Sequence, residues 1–277
     1  MEKIRIQGVR KTFRLKRGQS VTVQGKQTDE LEVLGGVDLS MREGEFVTLV
    51  GPSGCGKSVL LDMIGGLAAP SAGAVYIDGE AIAKPGPKTA YVFQQYALFP
   101  WRNALSNVEY ALEVRGVSKN ERTDKAKYLL GLFGLAAFGD RYPNQLSGGM
   151  QQRVAIARAL ASDPEVLLMD EPFAALDAQT RELLQAELLR IWEKTNTTVL
   201  FVTHAIDEAV YLADRVVVMT ARPGVIKEIV DIDLPRPRAA NIRSAPEFNA
   251  HRRLAWEALA DEVNKAQREM ELSLAAI

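Results

Sequence analysis

Residues Gly51-Pro52-Ser53-Gly54-Cys55-Gly56-Lys57-Ser58 carry the spacing G-x-x-x-x-G-K-[ST]. Glycines at these positions let the backbone wrap a phosphate chain with its N–H groups pointing inward. Lys57 offers a compact positive charge to β- and γ-phosphates, and Ser58 offers an oxygen to Mg²⁺. A helix opening at Lys57 would add the positive end of its dipole. The plain alternative is a flexible glycine turn with an exposed lysine. An apolar run before the motif and helical spacing after it argue for the phosphate loop.

Two further clusters carry chemistry. Val166 to Met169 leads into Asp170-Glu171, which places two carboxylates at the C-terminal end of a buried strand, the edge where open α/β sheets bind ligands. Asp170 can hold Mg²⁺ through its water shell, and Glu171 can polarise an attacking water. Alone, this pair would read as a solvated acidic turn. Neither cluster identifies how the nucleotide is used, because kinases, GTPases and many ATPases share both. Leu146-Ser147-Gly148-Gly149-Met150-Gln151 narrows the choice. It precedes a helix, so Ser147 and the Gly148 and Gly149 amides form a second anion site. Two phosphate-binding surfaces on one chain imply head-to-tail pairing of two copies; an ordinary glycine helix cap is the plain alternative.

The elements that must position these groups follow from pattern. Ile4, Ile6 and Val9 predict a strand ending near Phe13, and the polar, basic stretch 14–30 a surface hairpin or loop. Glu45 to Val50 reads as a buried strand, 57–67 as a helix, and Ala74 to Ile77 before Asp78-Gly79 as a strand with a tight turn. From Asn103 to Leu160 the character is helical, with Ser106 as a candidate cap and Lys125 to Phe133 as a second amphipathic stretch. Val166 to Met169 and Val199 to Val202 read as parallel strands covered on both faces. Helices are predicted at 178–193 and 205–212, and Val216 to Met219 with Val225 to Asp231 as an antiparallel pair. After Pro235 and Pro237 a mostly polar helix is predicted to about Leu272. His251, which fits no motif, reads as a surface residue there.

With 277 residues and 47% hydrophobic content, the chain can bury one large domain, alone or with an appendage. Thirty-four basic against 35 acidic residues give a formal charge of −1, which offers no electrostatic reason to expect nucleic acid. The single cysteine, Cys55, forms neither an intramolecular disulfide nor a zinc site by itself. A reducing, cytosolic compartment is expected. No segment reaches roughly 18 consecutive apolar residues, so any membrane spans must come from another chain. Met1 to Lys11 lacks the apolar core of a signal peptide.

Over about residues 1–235 the chain resembles an ATP-binding subunit of an ABC transporter, with that family's motifs in order. The resemblance implies an α/β fold of the P-loop NTPase, ABC type, with a parallel-sheet core, an antiparallel β region from the N-terminal strands and a helical subdomain at about 95–160. Residues 236–277 are then a C-terminal helical appendage. Phe93-Gln94 resembles the Q-loop, whose glutamine reaches Mg²⁺ and water and senses the membrane partner; Gln95 is the neighbouring candidate. Ala175-Leu176-Asp177 resembles the D-loop at the dimer interface, and Thr203-His204 the switch histidine. Phe13 fits the adenine-stacking aromatic, with ordinary core as its alternative. The implied cofactors are ATP, bound by Phe13, residues 51–58 and Val59, and Mg²⁺, held by Ser58, Gln94 and Asp170. Glu171, His204 and Gln94 are the expected catalytic residues. Ser147, Gly148, Gly149, Met150 and Asp177 are the expected contacts to ATP on the other copy.

Phe99-Pro100-Trp101-Arg102, Ala221-Arg222-Pro223-Gly224 and Asp233-Leu234-Pro235-Arg236-Pro237-Arg238 resemble the nitrate, sulfonate and taurine importer branch. The function implied is an ATP-hydrolysing homodimer at the cytoplasmic face of the cell membrane. It would drive transmembrane permease subunits and, through them, take solute from a periplasmic or extracellular binding protein. Tyr96, Phe99 and Trp101 are expected to face the permease, or else to pack within the subdomain. A soluble ABC ATPase acting on nucleic acid or ribosomes is the alternative. No coiled-coil insertion interrupts residues 58–146, and only one Gly-Lys-Ser loop exists, which disfavours it.

Overall fold

The computed structural model describes residues 1–15, 21–23, 26–239 and 241–275. The chain forms two compact units, Met1–Pro85 with His204–Ile277, and Gly86–Thr203.

In the first unit, β1 (Glu2–Arg14) pairs antiparallel with β4 (Glu30–Arg42) and β6 (Ala72–Ile77), and β7 (Glu80–Ala81) extends the sheet. Asp78 at φ 52° and Gly79 at φ 78° form the tight turn between β6 and β7. β5 (Phe46–Val50) is buried at every residue and runs parallel to β11 (Arg215–Met219), which pairs antiparallel with β12 (Ile226–Asp231). Such uniform burial needs cover on both faces, which suits the β-branched and aromatic content of Phe-Val-Thr-Leu-Val. The described part of 14–30 includes an antiparallel pair, β2 (Val21–Val23) with β3 (Lys26–Thr28). Residues 16–20 and 24–25 of that insert lie outside the described residues.

Helix α1 (Lys57–Ile64) buries Leu60, Leu61 and Ile64, as its spacing predicts. Helix α6 (Ile206–Leu212) ends where Arg236 and Arg238 reach it: Arg236 donates to the Leu212 carbonyl at 2.8 Å, and Arg238 to those of Val210 at 2.9 Å and Ala213 at 2.5 Å. Orphan carbonyls at a helix C-terminus favour such cations. Helix α7 (Pro246–Ala275) packs against α6, β11 and β12, burying Phe248, Ala255, Ala258 and Leu259. His251 differs from its surface expectation. It sits on the packed side of α7, its side chain 15% exposed, with Nε2 2.7 Å from Asp233 Oδ1.

In the second unit, β8 (Thr89–Val92), β9 (Val166–Asp170) and β10 (Thr198–Val202) are parallel neighbours, and β9 and β10 are buried throughout. Helices α2 (Ala104–Val114), α3 (Lys119–Leu132) and α4 (Gly148–Ala161) pack on one another, and α5 (Ala178–Trp192) follows β9. Ser106 is not the cap of α2. Asn103 caps it, accepting from Ser106 N at 2.8 Å, because the helix starts at 104 and Ser106 is already its third residue. Helix α3 begins six residues before the expected 125, capped by Ser118.

Candidate functional site

The phosphate loop joins β5 to α1 in the first unit. Gly56 caps α1 at φ 105°, a left-handed conformation, and a Cβ there would also lie 2.6 Å from Leu34 Cδ2. Lys57 is 5% exposed, and its Nζ donates to the carbonyls of Gly51 at 2.8 Å and Pro52 at 3.0 Å. The loop therefore curls around its own ammonium, a compact cationic hollow of the kind a phosphate chain needs. Burial pushes the Cys55 thiol up, an effect that Lys57 only partly offsets, so it is held protonated and unreactive.

Phe13 lies on β1, 42% exposed, with Lys11 Nζ 5.2 Å from its ring centroid. It is available for stacking and is not core. His204 is exposed and lines a cleft of about 870 Å³ with Ile206 and Asp207 of α6 and Asn249, Arg252 and Trp256 of α7.

The second unit carries the acidic edge. Asp170, the last residue of β9, is 9% exposed. Glu171 follows at φ 44°, its N–H donating to the Val202 carbonyl at 3.0 Å. A left-handed glutamate is uncommon, and the turn it makes redirects the side chain at the strand's end. Gln94, two residues beyond β8, donates from Nε2 to Glu171 Oε2 at 3.3 Å. The chain thus brings together an amide and a carboxylate 77 positions apart.

Ser147 caps α4, accepting from Met150 N at 3.3 Å, and Asp177 caps α5, accepting from Thr180 N at 3.0 Å. Hydrogen bonds from Thr180, its backbone N–H first, hold the Asp177 carboxyl below its usual range. Ser147, Gly148, Gly149, Met150 and Asp177 line one cleft of about 340 Å³. Two separate motifs thus present two helix N-termini to the same hollow, an arrangement suited to an anion.

The segment after Gln94 is held by residues the sequence reading passed over. Asn107 is fully buried; its Oδ1 accepts from Phe99 N at 2.9 Å, and its Nδ2 donates to the carbonyls of Phe99 at 3.2 Å, Arg102 at 2.8 Å and Asn103 at 3.1 Å. Arg158 of α4 donates to the carbonyls of Ala97 at 2.8 Å and Tyr96 at 3.3 Å. Of the three expected outward rings, only Trp101 is freely presented, at 71% exposed. Phe99 packs edge-on against Tyr110, with centroids 4.6 Å apart. The signal for Asn107 and Arg158 was weak, since a polar residue within a helical stretch usually reads as surface.

A family model described as ABC transporter matches residues 34–174. An uncharacterized ABC transporter ATP-binding protein of Methanocaldococcus jannaschii is 57% identical over 238 residues, covering 86% of this chain and 88% of that protein. An aliphatic sulfonates import ATP-binding protein of Bacillus cereus is 48% identical, over 80% of this chain and 88% of its own length. A nitrate import ATP-binding protein of Synechocystis sp. is 47% identical, over 78% and 83%. Among solved structures, a dimeric ATP-binding cassette in a post-hydrolysis state, bound to ADP and Pi, has a TM-score of 0.72 and 35% identity, covering 84% of this chain and 100% of that one. The chain belongs to the ABC transporter family, as an ATP-binding protein with the fold and the ATPase chemistry of its cassette.

Proposed function

We propose that this chain is the motor subunit of an importer, using ATP hydrolysis to move a small anion or organic acid in the class of nitrate, sulfonates and taurine. The observation that carries the reading is the contact between Gln94 and Glu171 at 3.3 Å. It ties the carboxylate suited to hydrolysis to the segment ending in exposed Trp101, which suits a membrane-spanning partner. Similarity to the sulfonate and nitrate import proteins at 48% and 47% identity supports the solute class.

In this reading residues 51–59 bind ATP, with Phe13 against the base. Glu171 orients and deprotonates water, Gln94 holds Glu171 in line, and His204 contacts the terminal phosphate. Ser58, Asp170 and Gln94 are the residues that would hold Mg²⁺. No group of three or more His, Cys, Asp or Glu side chains suited to a metal occurs among the described residues. The chemistry of the proposed donors, one hydroxyl, one amide and one carboxylate, suits Mg²⁺, which takes one or two carboxylates and completes its shell with water and phosphate oxygens. When bound, the ion supplies charge neutralisation at those oxygens. Ser147, Gly148, Gly149, Met150 and Asp177 receive the nucleotide of a second copy, as the dimeric cassette of 35% identity suggests.

No described helix is long and apolar enough to cross a membrane. Likeness to the sulfonate and nitrate import ATP-binding proteins supports a place at the cytoplasmic face, on permease subunits. A solute-binding protein would deliver cargo to that permease. We divide the chain at about 235, with the residues beyond as a C-terminal helical segment.

The test is reconstitution with the membrane-spanning subunits in vesicles, followed by uptake of labelled nitrate, taurine and alkanesulfonates. ATP-dependent uptake of one of these, lost in Glu171→Gln, is expected. ATP hydrolysis that no permease stimulates, with no uptake of any of them, would overturn the importer reading.

A further inference from the structure

We infer that Glu262 and Arg222 brace the phosphate loop, so that the C-terminal helix α7 sets nucleotide affinity without touching the nucleotide. This rests on residues 51–58 being the ATP site. Glu262 is 2% exposed. Its Oε2 accepts from Ala221 N at 3.0 Å, and its Oε1 accepts from Lys265 Nζ at 2.8 Å and lies 3.2 Å from Lys227 Nζ. A buried carboxylate is costly unless it is satisfied in this way, so Glu262 fixes where the turn after β11 begins.

From that turn two groups reach the loop. Arg222, the next residue, donates from Nε and Nη2 to the Gly54 carbonyl, both at 3.2 Å. Gly224 lies against the other side, so close that any Cβ would collide with the Cys55 carbonyl. It is pinned to β4: its N–H donates to the Val33 carbonyl at 2.8 Å, and its carbonyl accepts from Gly35 N at 3.1 Å. Gly54, Cys55 and Gly56 are the stretch whose N–H groups must converge on phosphate. A glycine-rich stretch loses the most freedom on ordering, and a brace that orders it beforehand lowers the entropic cost of binding. The brace holds Gly54 and Cys55, which carry no group of the hydrolytic step, so it should act on binding and leave turnover alone. Glu262 and Arg222 are positioning residues.

The full chain is titrated with Mg-ADP by calorimetry, and its ATPase is followed with Mg-ATP. Glu262→Ala and Arg222→Ala should each raise Kd and KM about five- to tenfold, the net worth of one ordinary hydrogen bond, because neither group touches the nucleotide itself. Turnover at saturation should stay within about twofold. Glu262→Gln keeps an acceptor for Ala221 and should restore affinity to within about twofold. The double variant should be no weaker than the worse single one, because both act through the same turn. Asp261→Ala, exposed and one residue away, should leave affinity unchanged.

Lys57→Ala separates the two readings. If it leaves nucleotide affinity intact, the loop assignment falls, and the brace with it. If it weakens binding while Arg222→Ala keeps parental Kd and KM, the brace alone is overturned. It is also overturned if the single effects multiply, or if Glu262→Gln is as weak as Glu262→Ala. Should Glu262→Ala fail to fold, Arg222→Ala, which changes an exposed side chain, decides.

Discussion

Lys57 shows how a single charge can serve a loop in two ways. Its ammonium closes on the Gly51 and Pro52 carbonyls, and the same three donors suit phosphate oxygens. Lys57→Ala should therefore weaken Mg-ADP binding by about 10- to 100-fold, the range for hydrogen bonds to charged groups. Calorimetry reads this directly, and unchanged affinity would remove the loop from the site. Asn107 is the opposite kind of residue, with no chemistry and four hydrogen bonds to the loop from Phe99 to Asn103. Asn107→Leu should cost about 2 kcal/mol or more, since it takes the partner from the Phe99 N–H and the Arg102 carbonyl at a buried position, while the Phe99 and Asn103 carbonyls keep the N–H groups of Arg102 and Asn107. Urea unfolding measures it, and a loss under about 0.5 kcal/mol, the range of ordinary surface changes, would contradict the account. The strand, glycine-rich loop and helix around Lys57 were legible because phosphate-loop chemistry dictates residue types at fixed spacing. Asn107 was not, because its partners are carbonyls, which any residue supplies. The contact of Gln94 with Glu171 was illegible for another reason: spacing says nothing about which residues meet across parallel strands.

Elements were legible in proportion to how uniformly they are buried. β5, β9 and β10 are buried at every residue and stand out as short apolar runs. Helix α7 reads by composition as polar, yet Phe248, Ala255, Leu259 and Glu262 recur at spacings of seven, four and three, which is one helical face. A buried carboxylate on that face disguised it. Burial pushes the Glu262 carboxyl up, but the hydrogen bonds from Lys265, Ala221 and Lys227 outweigh this and hold it below the usual carboxylate range. A carboxylate depressed on folding adds stability above its unfolded pKa and loses it as pH falls through the folded one. The chain should thus be more stable than Glu262→Gln at pH 7, with the gap closing below about pH 4. Thermal unfolding of both proteins from pH 7 downward tests this. A gap that stays constant to pH 3 would mean the charge on Glu262 contributes nothing.

At the scale of the whole molecule, the cleft between Ser147 and Asp177 is the feature that a single chain leaves unexplained. It presents the N-termini of α4 and α5 to about 340 Å³ of space. A terminal phosphate held by the loop of a second copy would satisfy both. Glu171→Gln tests this together with the chemistry. Glutamine keeps the size and the hydrogen bonding of Glu171 but removes the charge that draws a proton from water. General-base contributions are worth about 10²–10⁴-fold, so turnover should nearly stop. Binding should survive, because Lys57, Ser58 and Asp170 remain. Two trapped ATP molecules would then join each phosphate loop to the Ser147-Gly148-Gly149 surface of the other copy. Sedimentation should show Glu171→Gln moving from monomer to dimer on adding Mg-ATP. Adding Ser147→Arg should abolish that dimer, because bulk at the α4 cap fills the cleft and removes the oxygen that accepts from Met150. A double variant that dimerises as well as the single one would mean that the second copy does not bind there.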